Sequence, residues 1–284
     1  MDGLMVFQPK LSYTYNDIGL IPKLKSTIKS RKTGIDTFVN LLGHHLALPI
    51  AVAPMETVVS SELSDAIRKL GGIAVLPRLW GLPETLEMLH ETEEQCIPSV
   101  SVREIQVQFL RLGNPPAVCI DVANGFHENV FQAVIQLREI SPNVKIIAGN
   151  VASVEGYQFL SSIGVDAVRV GIGGGSVCTT SIATGIGAGQ ASIVRDIAVW
   201  RKEGDWECYS GGMGKRRPKS PSRGWPLIIA DGGIKTPGDI VKAIALGADL
   251  VMIGGMFAGA KESPGRVLKI GDRKFKHLAG QASM

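Results

Sequence analysis

The chain holds 284 residues with a formal net charge of +4; 45% are hydrophobic, 20% charged and 6% aromatic. This is the balance of an ordinary globular protein, long enough for one large domain or two small ones. The four cysteines, Cys96, Cys119, Cys178 and Cys208, show no paired metal-ligand spacing, and no disulfide framework is implied. Reduced thiols of this kind point to a cytoplasmic setting. The opening "MDGLMVFQPKLSY" lacks a basic segment followed by an apolar run, and no stretch reaches about 18 uninterrupted apolar residues, so neither export nor membrane spanning is expected.

Residues 1–47 read as an N-terminal extension placed to close the bottom of the fold that follows, and 48–284 as one domain. From residue 48 onward, short β-branched runs alternate with longer amphipathic stretches. The runs are "LPIAVAP" (48–54), "GIAVLP" (72–77), "CIPSVSV" (96–102), "PAVCIDVA" (116–123), "VKIIAGNV" (144–151), "DAVRVGIG" (166–173), "PLIIADGG" (226–233) and "LVMIGG" (250–255). Between them, "SELSDAIRKLG", "ENVFQAVIQLREIS" and "TPGDIVKAIALGA" place apolar residues at helical spacing. Strands this continuously apolar belong in a parallel sheet covered on both faces. Eight such units in a row predict an α/β fold of the closed (β/α)8 barrel type, a TIM barrel. A doubly wound sheet usually has fewer units and one glycine-rich turn near its first strand.

The glycines cluster instead after strands five to eight, in "AGNV", "GIGGGS", "DGG" and "IGG". In a barrel these loops lie at the C-terminal face, where active sites gather and where the last two commonly hold a phosphate. Gly232 and Gly233 precede the helix "TPGDIVKAI", and Gly254 and Gly255 precede a short final helix. Bare N–H groups at a helix start, with the helix dipole, favour an anion, and Ser176 can add a hydroxyl donor. Asp231 stands where a carboxylate can accept from sugar hydroxyls, so a mononucleotide is the expected ligand. The stretch "GIGGGSVCTTSIATG" (171–185) sets Cys178 among glycine, serine and threonine. A thiolate there can be stabilised by loop amides and act as a nucleophile; a small buried hydrophobe is the alternative that the residue type alone leaves open. The basic run "GMGKRRPKSPSRG" (212–224) has no aromatic stacking pattern, and nucleic-acid binding is not expected of it.

"RVGIGGGSVCTTSIATGIG" resembles the catalytic loop of the IMP dehydrogenase and GMP reductase family, and "IIADGGIKTPGDIVKAIALGADLVMIGGMFAGAKESPG" resembles its phosphate-binding half. "YTYNDIGLIPKLKSTIKSR", "PIAVAPMETV", "IDVANG" and "IAGNVAS" are similar to further family segments in the same order. The resemblance implies a barrel that assembles as a homo-oligomer, usually a tetramer. It also implies a thiolate, here Cys178, that adds to C2 of a purine nucleoside monophosphate, with Thr180 beside the departing amine. Ser176, Gly233 and Gly255 would contact the phosphate and Asp231 the ribose, with Met55, Gly232 and Gly254 completing the substrate set. Asp121, Asn150 and Gly171 would form the cofactor side, Asn150 supporting the loop. Carbonyls of Gly173, Gly175 and Cys178 would hold a potassium ion. "DVANG", "AGNV" and "GGMFAG", with no inserted CBS regulatory domain, resemble the reductase branch: NADPH-dependent deamination of GMP to IMP. The alternatives are the dehydrogenase reaction, IMP to XMP with NAD, and a catalytically impaired purine-nucleotide-binding homologue.

Three departures from the family pattern carry expectations of their own. Gly174 and Ser181 stand where the family has proline and arginine, which predicts a looser, less positive loop. Residues 203–224 read as a basic insertion before strand seven. "KFKHLAGQASM" resembles the start of a mobile flap that the sequence carries no further than Met284, and the family's flap bears the proton-handling groups.

Overall fold

A computed structural model describes residues 11–22, 25, 28, 30, 34–92, 95–175, 178–203 and 224–280. Its centre is a closed, all-parallel barrel of eight strands: β3 (Ile50–Val52), β4 (Ile73–Leu76), β5 (Cys96–Val100), β6 (Ala117–Asp121), β7 (Lys145–Val151), β8 (Ala167–Val170), β9 (Leu227–Asp231) and β10 (Leu250–Ile253), with β10 pairing back onto β3. Each strand falls inside one of the eight apolar runs, trimmed at its ends where the backbone turns into loops. Helices α1 (Ser61–Lys69), α2 (Leu82–Glu91), α3 (Ile105–Arg111), α4 (Glu128–Ile140), α5 (Val154–Ser162), α7 (Gln190–Glu203) and α8 (Pro237–Ala245) lie between the strands in sequence, and two short helices, α6 (Thr180–Thr184) and the single turn α9 (Gly255–Ala258), begin at the barrel mouth. The architecture is a (β/α)8 barrel. No helix among the described residues is long and apolar enough to cross a membrane.

Successive side chains on a strand point to opposite faces, so each strand divides its residues between the barrel interior and the helical layer. Val118, Ile120, Ile146 and Ala148 pack outward with Val130, Val134 and Leu137 of α4. Ala117, Cys119, Ile147, Ala167, Ile229 and Leu250 fill the interior. Two fully or nearly buried leucines join that inner cluster, Leu41 and Leu46, from a hairpin of β1 (Val39–Leu41) and β2 (His44–Leu46) that precedes the barrel. A second hairpin, β11 (Leu268–Ile270) with β12 (Arg273–Phe275), follows α9 and is exposed throughout. Neither hairpin is predicted by the alternating pattern, because a three-residue strand is too short to display a period.

Two aspartates fix the strands at the end opposite the glycine loops. Asp166 precedes β8 and accepts from Ile146 N on β7 at 2.9 Å; Asp249 precedes β10 and accepts from Ile228 N on β9 at 2.7 Å. Arg138 and Lys145 pair with the first, at 3.2 and 3.1 Å, and Arg201 grips the second with both terminal nitrogens. Each carboxylate thus ties a backbone donor of the neighbouring strand to a cation from the helical layer or the neighbouring strand, which holds strand register without a hydrophobic contact.

Helix starts are sealed locally. Ser60 accepts from Leu63 N at 3.1 Å and Ser153 from Gly156 N at 3.0 Å, contacts worth about 1 kcal/mol each. Leu41 of the first hairpin is fully buried in the inner cluster. Leu41→Ala is expected to lower the unfolding free energy by about 2–5 kcal/mol, measured as a shift of the urea midpoint without change of slope.

Candidate active site

The strands' C-terminal ends open into a cavity of about 390 Å³. Met55, Asp121, Asn150, Gly171, Gly173, Gly175, Cys178, Thr180, Asp231, Gly232, Gly233, Gly254 and Gly255 all line it, so every sequence-predicted site residue but one meets there. The exception, Ser176, lies outside the described residues, as do residues 204–223 of the basic insertion and 281–284 at the end of the flap-like stretch.

The polar floor of the cavity is set by one buried arginine. Arg169, at an inward position of β8 and 6% exposed, bridges two carboxylates across the barrel mouth. Its Nη1 donates to Asp121 Oδ1 on β6, and its Nε and Nη2 donate to Asp231 Oδ2 on β9 at 3.2 and 2.7 Å. Burial alone would lower the guanidinium pKa; the charges of Asp121 and Asp231 outweigh it and hold the group well above its ordinary value. Asn150 completes the set, donating from Nδ2 to Asp231 Oδ2 and to Gly171 O, both at 2.7 Å. Space for the guanidinium stem comes from Gly149, where a Cβ would fall 2.6 Å from Arg169 Cβ. Asp121 keeps Oδ2 buried without a hydrogen bond among the described residues. Asp231 is already engaged through Oδ2, which leaves Oδ1 as the oxygen open to a ligand.

Gly232 and Gly233 precede α8, as expected, but by several residues. Helix α8 begins at Pro237, which has no N–H, and seals itself: Asp239 Oδ2 accepts from Lys235 N, Thr236 N and Thr236 Oγ1 at 3.1, 2.9 and 3.0 Å. The free donors sit one step earlier. Among the described residues, the N–H groups of Gly232, Gly233 and Gly255 carry no hydrogen bond. Gly232, at φ +97, lies against the thiol loop, with a Cβ there 3.1 Å from Gly175 N. Gly254 abuts Met55, whose sulfur would be 2.5 Å from a Cβ. The amides without a partner among the described residues therefore belong to loops, with the cation of Lys235 also on the cavity wall.

Cys178 is the half-buried thiol of the described residues, and its N–H donates to Gly175 O at 3.1 Å. Cys119, sealed in the barrel interior, has its pKa pushed up by burial to about 11, and burial raises that of Cys96 as well. Only Cys178 among these three opens on the cavity. Thr179 and Thr180 follow it, and Thr180 opens α6. Gly280 lines the mouth from the other side, where Ala279 N donates to Thr57 Oγ1 and that hydroxyl donates to Ala279 O, both at 3.2 Å.

Arg169, Arg78 and Lys235 were not singled out by motif reading. The signal for Arg169 was present: a lone cation at an inward position of the apolar strand "AVRV" has to be paired by buried carboxylates. Removing that cation while keeping the bulk leaves two carboxylates facing each other in the interior. Arg169→Met is expected to cost about 3–5 kcal/mol of stability, read from the denaturant midpoint.

Residues 12–284 match the family model described as the IMP dehydrogenase / GMP reductase domain. The chain is 35% identical over 278 residues to the GMP reductase of Streptococcus suis (strain 05ZYH33), an alignment covering 95% of this chain and 77% of that protein. It is 33% identical over 276 residues to the GMP reductase of Streptococcus pneumoniae serotype 19F (strain G54), with the same coverage of each. With a barrel, a thiol loop and a glycine cradle in the order its sequence announced, the chain belongs to the IMP dehydrogenase / GMP reductase family.

Proposed function

We propose that the protein is a GMP reductase-like oxidoreductase that converts GMP and NADPH to IMP, NADP⁺ and ammonia. The observation that carries this reading is the meeting, in one cavity, of an accessible thiol with two glycine loops whose N–H groups are free. A mononucleotide spans these features: phosphate on Gly232, Gly233 and Gly255, with Ser176 as a further donor, ribose hydroxyls on Asp231 Oδ1, and the purine over Cys178. That the curated relatives compared above are named GMP reductase favours the reductase over the dehydrogenase reaction.

In this scheme the Cys178 thiolate forms a bond to C2 of the guanine ring, and the exocyclic amine leaves C2 as ammonia once protonated, with the Thr180 hydroxyl beside it. NADPH supplies a hydride to C2, after which the C2–S bond breaks, the electron pair returns to sulfur, and IMP is released. One proton is consumed overall with ammonia as product. The Oδ2 of Asp121 and the cation of Arg78, neither with a partner among the described residues, suit the cofactor's side of the cavity, with Asn150 and Gly171 holding the loop between the two ligands.

Carbonyls of Gly173, Gly175 and Cys178 make a neutral oxygen set of the type that holds a potassium ion, which would stiffen the thiol loop. Gly175 O takes one hydrogen bond, from Cys178 N, and retains a lone pair for a cation. Exposed apolar side chains such as Leu11, Ile21, Ile182 and Ile270 support a homo-oligomer, in this family a tetramer. A cytoplasmic enzyme accords with the reduced thiols.

Mixing the protein with GMP and NADPH should consume NADPH and release IMP and ammonia in equal amounts. Cys178→Ser is expected to lower kcat by about 10⁴-fold or more while GMP still binds. Production of XMP from IMP and NAD instead would assign the dehydrogenase reaction. GMP binding without turnover of either substrate would mark a binding homologue.

A further inference from the structure

Behind the glycine cradle lies a buried wall that the reaction scheme does not use. It is made by two side chains far apart in sequence, Tyr15 and Gln190, which are 1% and 2% exposed. Tyr15 sits in a short 3-10 turn, Tyr15–Asp17, closed by Asp17 Oδ2, which accepts from Thr14 N and Thr14 Oγ1, both at 2.7 Å. Gln190 is the first residue of α7.

The segment carrying Tyr15 is strapped across the barrel. Ser12 Oγ accepts from Gly189 N at 2.6 Å, Tyr13 N donates to Ser192 Oγ at 2.8 Å, and Ser192 N donates to Tyr13 O at 3.2 Å. Lys242 of α8 donates from Nζ to Tyr15 O at 2.7 Å. Gly189 has no room for a side chain under this strap, since a Cβ would stand 2.6 Å from Tyr13 N. Residues 12–17 are thus fastened to both α7 and α8, the helices flanking β9.

What the wall touches is the back of the two site loops. Gln190 Nε2 donates to Val170 O at 2.6 Å, the last residue of β8 before the thiol loop. The same amide fills the space beside Gly171, where a Cβ would lie 2.7 Å from Nε2, and reaches Gly174, where a Cβ would lie 3.5 Å from Oε1. The Gln190 stem lies 3.6 Å from a Cβ on Gly233, and the Tyr15 ring 3.5 Å from it. Burial raises the Tyr15 pKa, the nearby Asp239 adds to the rise and the Gln190 side chain opposes it, so the phenol stays neutral beside the amide. One continuous surface therefore supports the loop that carries Cys178 and the loop that carries the free amides.

A ligand gripped at both ends has a fixed length, so the two loops must keep a fixed separation. Active constellations tolerate about 0.5 Å of drift before they lose function. Glycine-rich loops cannot hold that separation themselves, having no side chains to lock. We propose that Gln190 and Tyr15 are positioning residues that set the register between the anion cradle and the Cys178 loop, making the N-terminal strap 12–17 a working part of the nucleotide site. This rests on the mononucleotide reading above and adds to it the elements that fix where the two ends of the ligand are held.

The test is protection of Cys178 from alkylation by iodoacetamide, followed by mass spectrometry, with GMP or guanosine as the protecting ligand. Guanosine lacks the phosphate and so does not span the two loops. For Gln190→Ala, the GMP concentration giving half-protection should rise roughly tenfold while that for guanosine stays within about twofold. Gln190→Met, which keeps the length but not the donor, should follow it, and supplies the measurement if the alanine variant does not fold. Tyr15→Phe, which keeps the ring on Gly233, should remain near the unsubstituted protein, and Tyr15→Ala should not. Equal loss of protection by GMP and guanosine would mean that the wall only stabilises the fold, and unchanged protection would mean it has no role; either overturns the proposal. Failure of GMP to protect the unsubstituted chain would instead remove the mononucleotide reading itself, and this inference with it.

Discussion

The structure's mouth depends on a single buried cation. Arg169 is held between Asp121 and Asp231, carboxylates on strands that lie on either side of β7 and β8 in the ring. A charge moved into a barrel interior costs several kcal/mol unless it is matched, and a matched group is intolerant of displacement because any shift exposes an uncompensated partner. The arrangement therefore does more than neutralise charge. It pins the ends of three strands at the level where the loops begin, and through Asn150 it reaches Gly171, where the thiol loop departs. Two carboxylates against one guanidinium leave that cluster with a net negative charge, while Arg78 and Lys235 on the cavity wall and the nearby loop amides supply the positive side. The cavity is polarised from one wall to the other.

Much of this was legible in the sequence because a parallel barrel repeats one pattern. Eight apolar runs separated by amphipathic stretches gave the strand count and order, and glycines after strands five to eight marked the functional end. The rest was hidden for physical reasons. The partners of Arg169 come from strands four and seven: Asp231 stands on the strand that pairs with β8, and Asp121 lies one strand beyond β7, a proximity that appears only once the strands are laid side by side. Tyr15 reads as an ordinary aromatic in a polar segment until the strap places it under Gly233. Leu41 and Leu46 belong to strands too short to show a period. Motif reading expected the amide donors in the glycines ahead of α8, on the strength of a helix start. Pro237 and Asp239 show why that terminus is spoken for: a proline at the first turn and a capping carboxylate are the usual signs of a helix that satisfies itself.

The division between the three described cysteines follows the same logic. Cys119 and Cys96 are small apolar fillers whose thiols are kept protonated by burial, whereas Cys178 is half-buried and opens on the cavity. Residue type is identical in all three, and surroundings decide the chemistry. The described part of the Cys178 loop is contacted by Gln190 of α7, by the loop of Gly232 and, through Gly171, by Asn150.

The aspartates at the opposite end of the ring complete this division. Asp166 and Asp249 each clamp the strand next door while drawing in a guanidinium from the outer layer. Because those clasps are made of ions and backbone, they do not rely on what happens at the cavity. Heating should therefore loosen the molecule from the open rim downward, with catalytic competence lost before the staves of the barrel separate. Natural variation in the rim loops could accumulate over such a foundation without each change having to be offset elsewhere in the ring.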